Sequence, residues 1–296
     1  MNSHQLAEEV KYSVISSLPD IELPPHSCDC HHHIFDRRFP YAPDDKRDLP
    51  DATVNDYRHF KSRLGFSRHV VVQPSSYGTD NRCLLDALKQ FAGNARGEAV
   101  VTDRVTDSEL DSLGNAGVAG VRFNFGAGSA TTPEMLLPLA HRLAERGWHI
   151  QVHASADTLW ELRSLLLQVP GNLVIDHFFR LPQPDPLNHQ TWRLAWELID
   201  QGRCWVKLSA LYHQSTRSDV SDMAGVMKTF LHDATERVLW GSDWPHPNLF
   251  SANKNMPDDA LILSQIFNWA SNEQVRHKLF VSNPADLYRF TESNAK

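Results

Sequence analysis

Cys28-Asp29-Cys30-His31-His32-His33-Ile34-Phe35 is the stretch on which the reading of this chain turns. Taken as a β-strand, it alternates, so His31 and His33 point to one face and address one point in space while His32 faces away. In a chain with 16 histidines such a cluster also arises by chance. The pair gains weight only if later segments deliver chemical partners to the same place.

Beyond residue 35, short β-rich apolar runs alternate with segments of helical period, the pattern of parallel βαβ units. The strand candidates are 28–35, 69–74, 98–105, 118–125, 148–154, 173–178, 204–208 and 237–241. Thr79-Asp80 is expected to cap a helix carrying Leu84, Leu85, Leu88 and Phe91. Thr132-Pro133 opens another, with Leu136, Leu139, Ala140, Leu143 and Ala144 inward. Further helices fit 157–168, 189–201, 219–234, 258–270 and 272–280, with Asp258-Asp259 as a helix start. Eight strands alternating with helices in 296 residues predict an α/β fold, a (β/α)8 TIM barrel. A doubly wound sheet competes, but no G-x-G-x-x-G or G-x-x-x-x-G-K-[ST] follows the first strand. The expected layout is an arm over 1–27, ending in the non-helical Leu23-Pro24-Pro25, then a single barrel domain over 28–296.

A net charge of −7 argues against a nucleic-acid partner, since binders show a basic face. No run of about 18 apolar residues is present, so no membrane span is expected. The N-terminus, with Glu8 and Glu9, lacks a basic-then-apolar secretory pattern. Cys28, Cys30, Cys83 and Cys204 read as reduced, buried thiols, and the expected compartment is cytoplasmic. Homo-oligomerisation is left open.

In such a barrel the chemistry sits at the C-terminal ends of the strands. Those ends carry Asp29, His31 and His33, then Gln73-Pro74-Ser75-Ser76-Tyr77, then Arg122 and Asn124. Later come His153, Asp176-His177 with Arg180, then Lys207, Ser209 and Tyr212, and finally Ser242-Asp243-Trp244-Pro245-His246. Each has a plain structural alternative. Arg122 can pair with a neighbouring acid, Lys207 with an acid near the barrel floor, and Trp240 and Trp244 can simply pack. Five histidines and Asp243 recurring at one end of different strands point to a site.

His31-x-His33, Asp176-His177-Phe178 and Trp240-Gly241-Ser242-Asp243-Trp244-Pro245-His246 resemble motifs of the amidohydrolase superfamily. More narrowly, the chain resembles its branch of 2-pyrone-4,6-dicarboxylate lactonase and related sugar and muconolactone lactonases. Val72-Gln73-Pro74-Ser75, Gly120-Val121-Arg122-Phe123-Asn124, Val206-Lys207-Leu208-Ser209 and Asn283-Pro284 support this over about 26–290. The resemblance implies a barrel that hydrolyses a carboxylated lactone. His31, His33 and His177 would surround the carbonyl and Asp243 would activate water. Arg122 would hold a substrate carboxylate, with Asn124, Gln73, Ser76, Tyr212 and Arg217 as further substrate contacts. Two departures stand out. The loop Phe125-Gly126-Ala127-Gly128-Ser129 lacks the Arg expected there for a second carboxylate, and His153 replaces a Tyr. The branch enzyme works without metal, yet His31, His33, His153 and Asp243 would make a mononuclear set suited to Zn²⁺. On the same site, sister branches imply a metal-dependent non-oxidative decarboxylase as an alternative, and attack by a substrate hydroxyl instead of water would make the chain a lactone isomerase. A non-catalytic binder on a retained barrel is the reading from another class.

Overall fold

The computed structural model describes residues 10–14, 19–126 and 129–291. Eight parallel strands lie in one sheet in chain order: β1 Cys28–His32, β2 Arg68–Val72, β3 Ala95–Ala99, β4 Val118–Asn124, β5 His149–His153, β6 Leu173–Ile175, β7 Cys204–Ser209 and β8 Val238–Gly241. The outer helices are α1 Val54–Leu64, α2 Arg82–Phe91, α3 Asp107–Asn115, α4 Leu136–Glu145, α5 Ala156–Glu161, α6 Arg163–Leu166, α7 Gln190–Asp200 and α8 Ala224–Asp233. After β8 follow α9 Pro247–Ser251, α10 Asp259–Trp269, α11 Glu273–His277 and α12 Asn283–Tyr288. This is the predicted TIM barrel. Consistent with a fully covered parallel sheet, β1, β2 and β7 are buried at every position.

The barrel closes just beyond the last strand. Asp243 N donates to His31 O at 2.8 Å and His33 N to Trp244 O at 2.8 Å. Gly241 permits this approach, because a Cβ there would lie 2.5 Å from His31 Cβ. Asp29 clasps the seam from behind, accepting from Ser242 N at 2.9 Å, Ser242 Oγ at 2.6 Å and Tyr57 of α1 at 3.0 Å. Closure therefore sets the residues of β1 beside Asp243.

Several boundaries differ from the sequence reading. The third strand lies at Ala95–Ala99 rather than 98–105, and Val100 and Val101 form the turn after it. Its first half, Ala95-Arg96-Gly97, has little β character. Gly97 makes room for α2, since a Cβ there would lie 2.7 Å from Leu88 Cδ1 and that side chain would have to shift. Helix α2 begins at Arg82, and Asp80 turns its carboxylate to Arg82 instead of capping. Asn81 anchors that turn, donating to Val100 O at 2.8 Å and accepting from Val100 N at 3.0 Å. The helix expected over 157–168 is broken into α5 and α6. Helices α1 and α3 were not anticipated, although Thr53/Asp56 and Thr106/Glu109 form capping boxes readable in sequence. Asp258 caps α10 as expected, whereas Asp259 is buried and accepts from His246 Nε2 at 3.0 Å.

Trp240 stacks on Phe66 at 4.7 Å, and Trp244 packs on Tyr57 and Phe60, so both tryptophans are core residues. All four cysteines are free and buried. Of the expected arm, residues 1–9 and 15–18 lie outside the described residues, as do Ala127 and Gly128 of the loop after β4. The described Lys11 accepts from Trp244 Nε1 at 2.9 Å, and Ser13 Oγ donates to Asp259 at 2.5 Å. Among the described residues no helix is long and apolar enough to cross a membrane.

Candidate active site

Three strands release their chains at the barrel mouth through left-handed backbone. His177 after β6 has φ 51°, Ala210 after β7 has 52° and Asp243 after β8 has 63°. For residues with a Cβ each such conformation costs about 1–2 kcal/mol, a strain typical of functional sites. The left-handed run continues from His177 through Phe178, Phe179 and Arg180. It ends the sixth strand at Ile175, short of the expected residue 178.

Asp243 is the hub. Its Oδ1 lies 3.4 Å from His31 Nε2, 3.5 Å from His33 Nε2 and 3.8 Å from His177 Nε2. Its Oδ2 accepts from the Tyr212 hydroxyl and lies 3.7 Å from His213 Nε2. Burial pushes the Asp243 carboxyl up, but His177, His33 and His31 outweigh it and hold it well below the usual carboxylate range. Burial lowers His31 to about 4, His153 to about 3 and His213 to about 4, and puts His177 well below its ordinary value. The shifts favour uncharged imidazoles for His31, His177 and His213 beside an ionised Asp243.

Above this floor opens a polar cleft. One wall carries Arg47, Ser75 and Ser76, another Arg122, Asn124 and His153, with His213 and Asn248 on the β7–β8 side. Arg122 is buried and held loosely, with donors 3.2–3.4 Å from Asp176 Oδ2 and 3.4 Å from Gln73 O. That geometry leaves a guanidinium able to re-pair with an incoming carboxylate. Ser76 Oγ and Ser75 Oγ each accept from Arg47 Nη2 at 3.0 Å. A larger surface cleft between α2 and α3 is lined by Leu85, Val101 and Leu113, and no histidine borders it.

His31, His33, His177, Asp243, Arg122, Asn124, His153 and Ser76 are thus brought together, and three expectations change. Gln73 is buried behind the cleft, where its side chain donates to Asp80 O at 2.8 Å and steadies the loop after β2. Arg217 is exposed and paired with Asp219 at 3.2 Å, in a turn tied down by Ser215 and Asp222, outside the cleft. Tyr212 spends its hydroxyl on Asp243. Arg47, His213 and Asn248 border the cleft without having been singled out in sequence. Arg47 sits in the charge run Asp44-Asp45-Lys46-Arg47-Asp48, which looks like any solvated loop. His213 adjoins Tyr212 just past β7, and its place at a strand end was the signal available.

Among the described residues, three groups of side chains converge closely enough to share a metal ion: His31, His33 and Asp243; His31, Asp176 and His177; and His177, His213 and Asp243. Imidazole and carboxylate donors suit a divalent ion such as zinc. His153 belongs to none of these groups. Its Nδ1 lies 3.7 Å from Asp176 Oδ2, on the Arg122 side, so of the expected set His31, His33, His153 and Asp243 the structure groups His31, His33 and Asp243.

With this geometry in hand, residues 28–290 match the family model described as amidohydrolase. The chain belongs to the amidohydrolase family. It is 34% identical over 286 residues to a 2-pyrone-4,6-dicarboxylate hydrolase of Comamonas testosteroni, covering 92% of this chain and 93% of that protein. It is 32% identical over 275 residues to a 4-sulfomuconolactone hydrolase of Rhizobium radiobacter, covering 90% and 91%. Among solved structures, one described as a 2-pyrone-4,6-dicarboxylic acid hydrolase of Pseudomonas putida superposes with a TM-score of 0.78 at 30% identity, covering 90% and 99%. In this amidohydrolase, the site at the strand ends is where the family's barrel is expected to work.

Proposed function

We propose that this chain hydrolyses a carboxylated lactone to its open-chain acid. The observation that carries the reading is the Asp243 hub: one carboxylate oxygen faces three imidazoles and the other is pinned by Tyr212, under a cleft bordered by Arg122. The lactone hydrolases among its relatives support the same substrate class.

Arg122 binds the substrate carboxylate and sets the ring over the histidines. Asp243 accepts a proton from water as the water oxygen bonds to the lactone carbonyl carbon, and the carbonyl π pair moves to oxygen. Imidazole N–H groups at the mouth stabilise that oxyanion. As the carbonyl re-forms, the ring C–O bond breaks and the leaving oxygen takes the proton back from Asp243. A divalent ion held by His31, His33 and Asp243 would add Lewis-acid polarisation of the carbonyl.

A panel of carboxylated lactones, followed by a pH indicator with and without chelator, tests this. Acid release from at least one lactone, without CO₂, is expected. Release of CO₂, or conversion of one lactone to another with no acid, would replace hydrolysis by decarboxylation or isomerisation. Chelator sensitivity reports the metal.

A further inference from the structure

We infer that the N-terminal arm serves the candidate site. Residues 10–14 form a clasp across the seam between β8 and β1, and Tyr12 and Ser13 are positioning residues for the turn that carries Asp243. The hydrogen-exchange test below is independent of the lactonase reading; only the kinetic measurement rests on it.

That seam is the weak join of the barrel. Strands β7 and β8 share a register running from Val206 opposite Val238 to Ser209 opposite Gly241. Among the described residues, β8 and β1 meet instead through a bridge of His32 with Trp244 and the bonds from Asp243 N to His31 O and from His33 N to Trp244 O. His31, His33 and Asp243 therefore all sit on this join. The turn beyond it holds two residues in left-handed backbone, Asp243 at φ 63° and His246 at φ 59°. They are linked by His246 N donating to Asp243 O at 2.8 Å. Both carry a Cβ, so the turn is strained and persists only where its surroundings over-determine it.

The arm supplies those surroundings. Trp244 Nε1 donates to Lys11 O at 2.9 Å, and the Tyr12 ring meets the Trp244 ring edge-on at 5.9 Å. Ser13 Oγ donates to Asp259 Oδ2, the same buried oxygen that accepts from His246 Nε2 at 3.0 Å. The turn is thus gripped at Trp244 and at His246, on either side of Pro245. The His246 ring in turn lies edge-on to Tyr212 at 5.2 Å, and the Tyr212 hydroxyl donates to Asp243. Ser13 therefore acts through Asp259 and His246 on both the backbone and the side chain of Asp243. Across the seam, Tyr12 Oη donates to Asp51 O at 2.6 Å, beside Ala52, which pairs with Phe35 at the exit of β1. Lys11 Nζ lies 2.9 Å from Asp56 of α1. One short segment thus ties the exits of the first and last strands together. Asp29 holds the seam one residue earlier, at Ser242, so loss of the clasp loosens the turn without opening the barrel.

The test is native-state amide hydrogen exchange, read by NMR on the whole protein and on a Tyr12→Ala/Ser13→Ala double variant. The Asp243 and His246 amides should exchange at least about tenfold faster in the variant. The Phe125 amide, bonded to His153 O at 2.9 Å on the opposite side of the mouth, should keep its rate. Equal acceleration at all three overturns the proposal, because the arm then serves global stability alone. Unchanged Asp243 and His246 rates overturn it as well. If the double variant does not fold, Ser13→Ala decides by the same comparison. On a lactone that the native chain turns over, kcat should fall roughly tenfold with KM within about twofold, since the clasp shifts a reacting group and borders no part of the cleft. A faster-exchanging turn with native kcat overturns the role in the site. If no lactone turns over, the functional reading fails while the exchange rates still answer for the clasp.

Discussion

His31 and His33 face into the barrel mouth, while His32, between them, faces out against α1 and α2, where it meets His69 of β2. The outward pair is packed as core. His32 stacks on Tyr57 at 3.4 Å and 5° between planes, and its Nε2 lies 2.9 Å from His69 Nδ1. Phe91 closes the other side, with its ring centroid 4.3 Å from that of His69. Burial holds both outward imidazoles well below their ordinary value. The inward pair has the same residue type and comparable burial but converges on Asp243. Histidine identity is therefore a poor guide to function; convergence on a shared carboxylate at an open cleft separates a reacting histidine from a packed one.

The sharpest way to break this contrast is Asp243→Asn, which removes the point of convergence. Turnover of an accepted lactone should drop by on the order of 10³-fold or more, with the circular dichroism spectrum unchanged. Persistent turnover would mean that the convergence carries no chemistry.

His32→Ala probes the other face. It deletes a stacked ring and leaves His69 Nδ1 without its partner, so stability should fall by about 2–3 kcal/mol, a Tm loss on the order of 5 °C. Activity per folded molecule should stay within about twofold. A large loss of kcat at permissive temperature would erase the distinction between the faces.

The smallest effect is a slope. His32 and His69 have folded-state pKa values below the unfolded value of about 6.5, so the unfolded chain binds more protons in acid. Their contribution is fully present above that value and is lost as pH falls below it. Each contributes up to about 1.4 kcal/mol per pH unit. His31, His153 and His213 act in the same direction. Replacing His69 with Phe should flatten the fall of denaturation midpoint between pH 6.5 and 5 by about one proton's worth; an unchanged slope would mean that His69 is charged in the fold.

Much of this was legible in the chain, for identifiable reasons. Parallel strands buried on both faces leave apolar runs, and a barrel gathers their C-terminal ends, so His31, His177 and Asp243 could be placed together without coordinates. Helices α1 and α3 were missed because their apolar stripes are short, although each begins with a capping box. The third strand was displaced because Gly97 is there for the close approach of α2, not for β propensity. Arg217 and Arg47 exchanged places relative to expectation. Loop arginines look alike in sequence, and only the path of each loop decides which one meets the cleft.

By itself, then, the sequence determined the architecture, the end of the barrel at which polar groups collect, and the carboxylate and imidazoles that collect there. Strand order and side-chain alternation are local properties repeated along a chain, and they survive translation into one dimension. Tertiary structure alone decided that Tyr212 binds Asp243, that His213 joins the mouth while His153 leaves the metal-competent groups, and that Lys207 lies under His31. Those contacts depend on loops and on opposite walls of a closed barrel. Lys207 and His31 are 176 positions apart in sequence, and only closure of the barrel brings them within a hydrogen bond of each other.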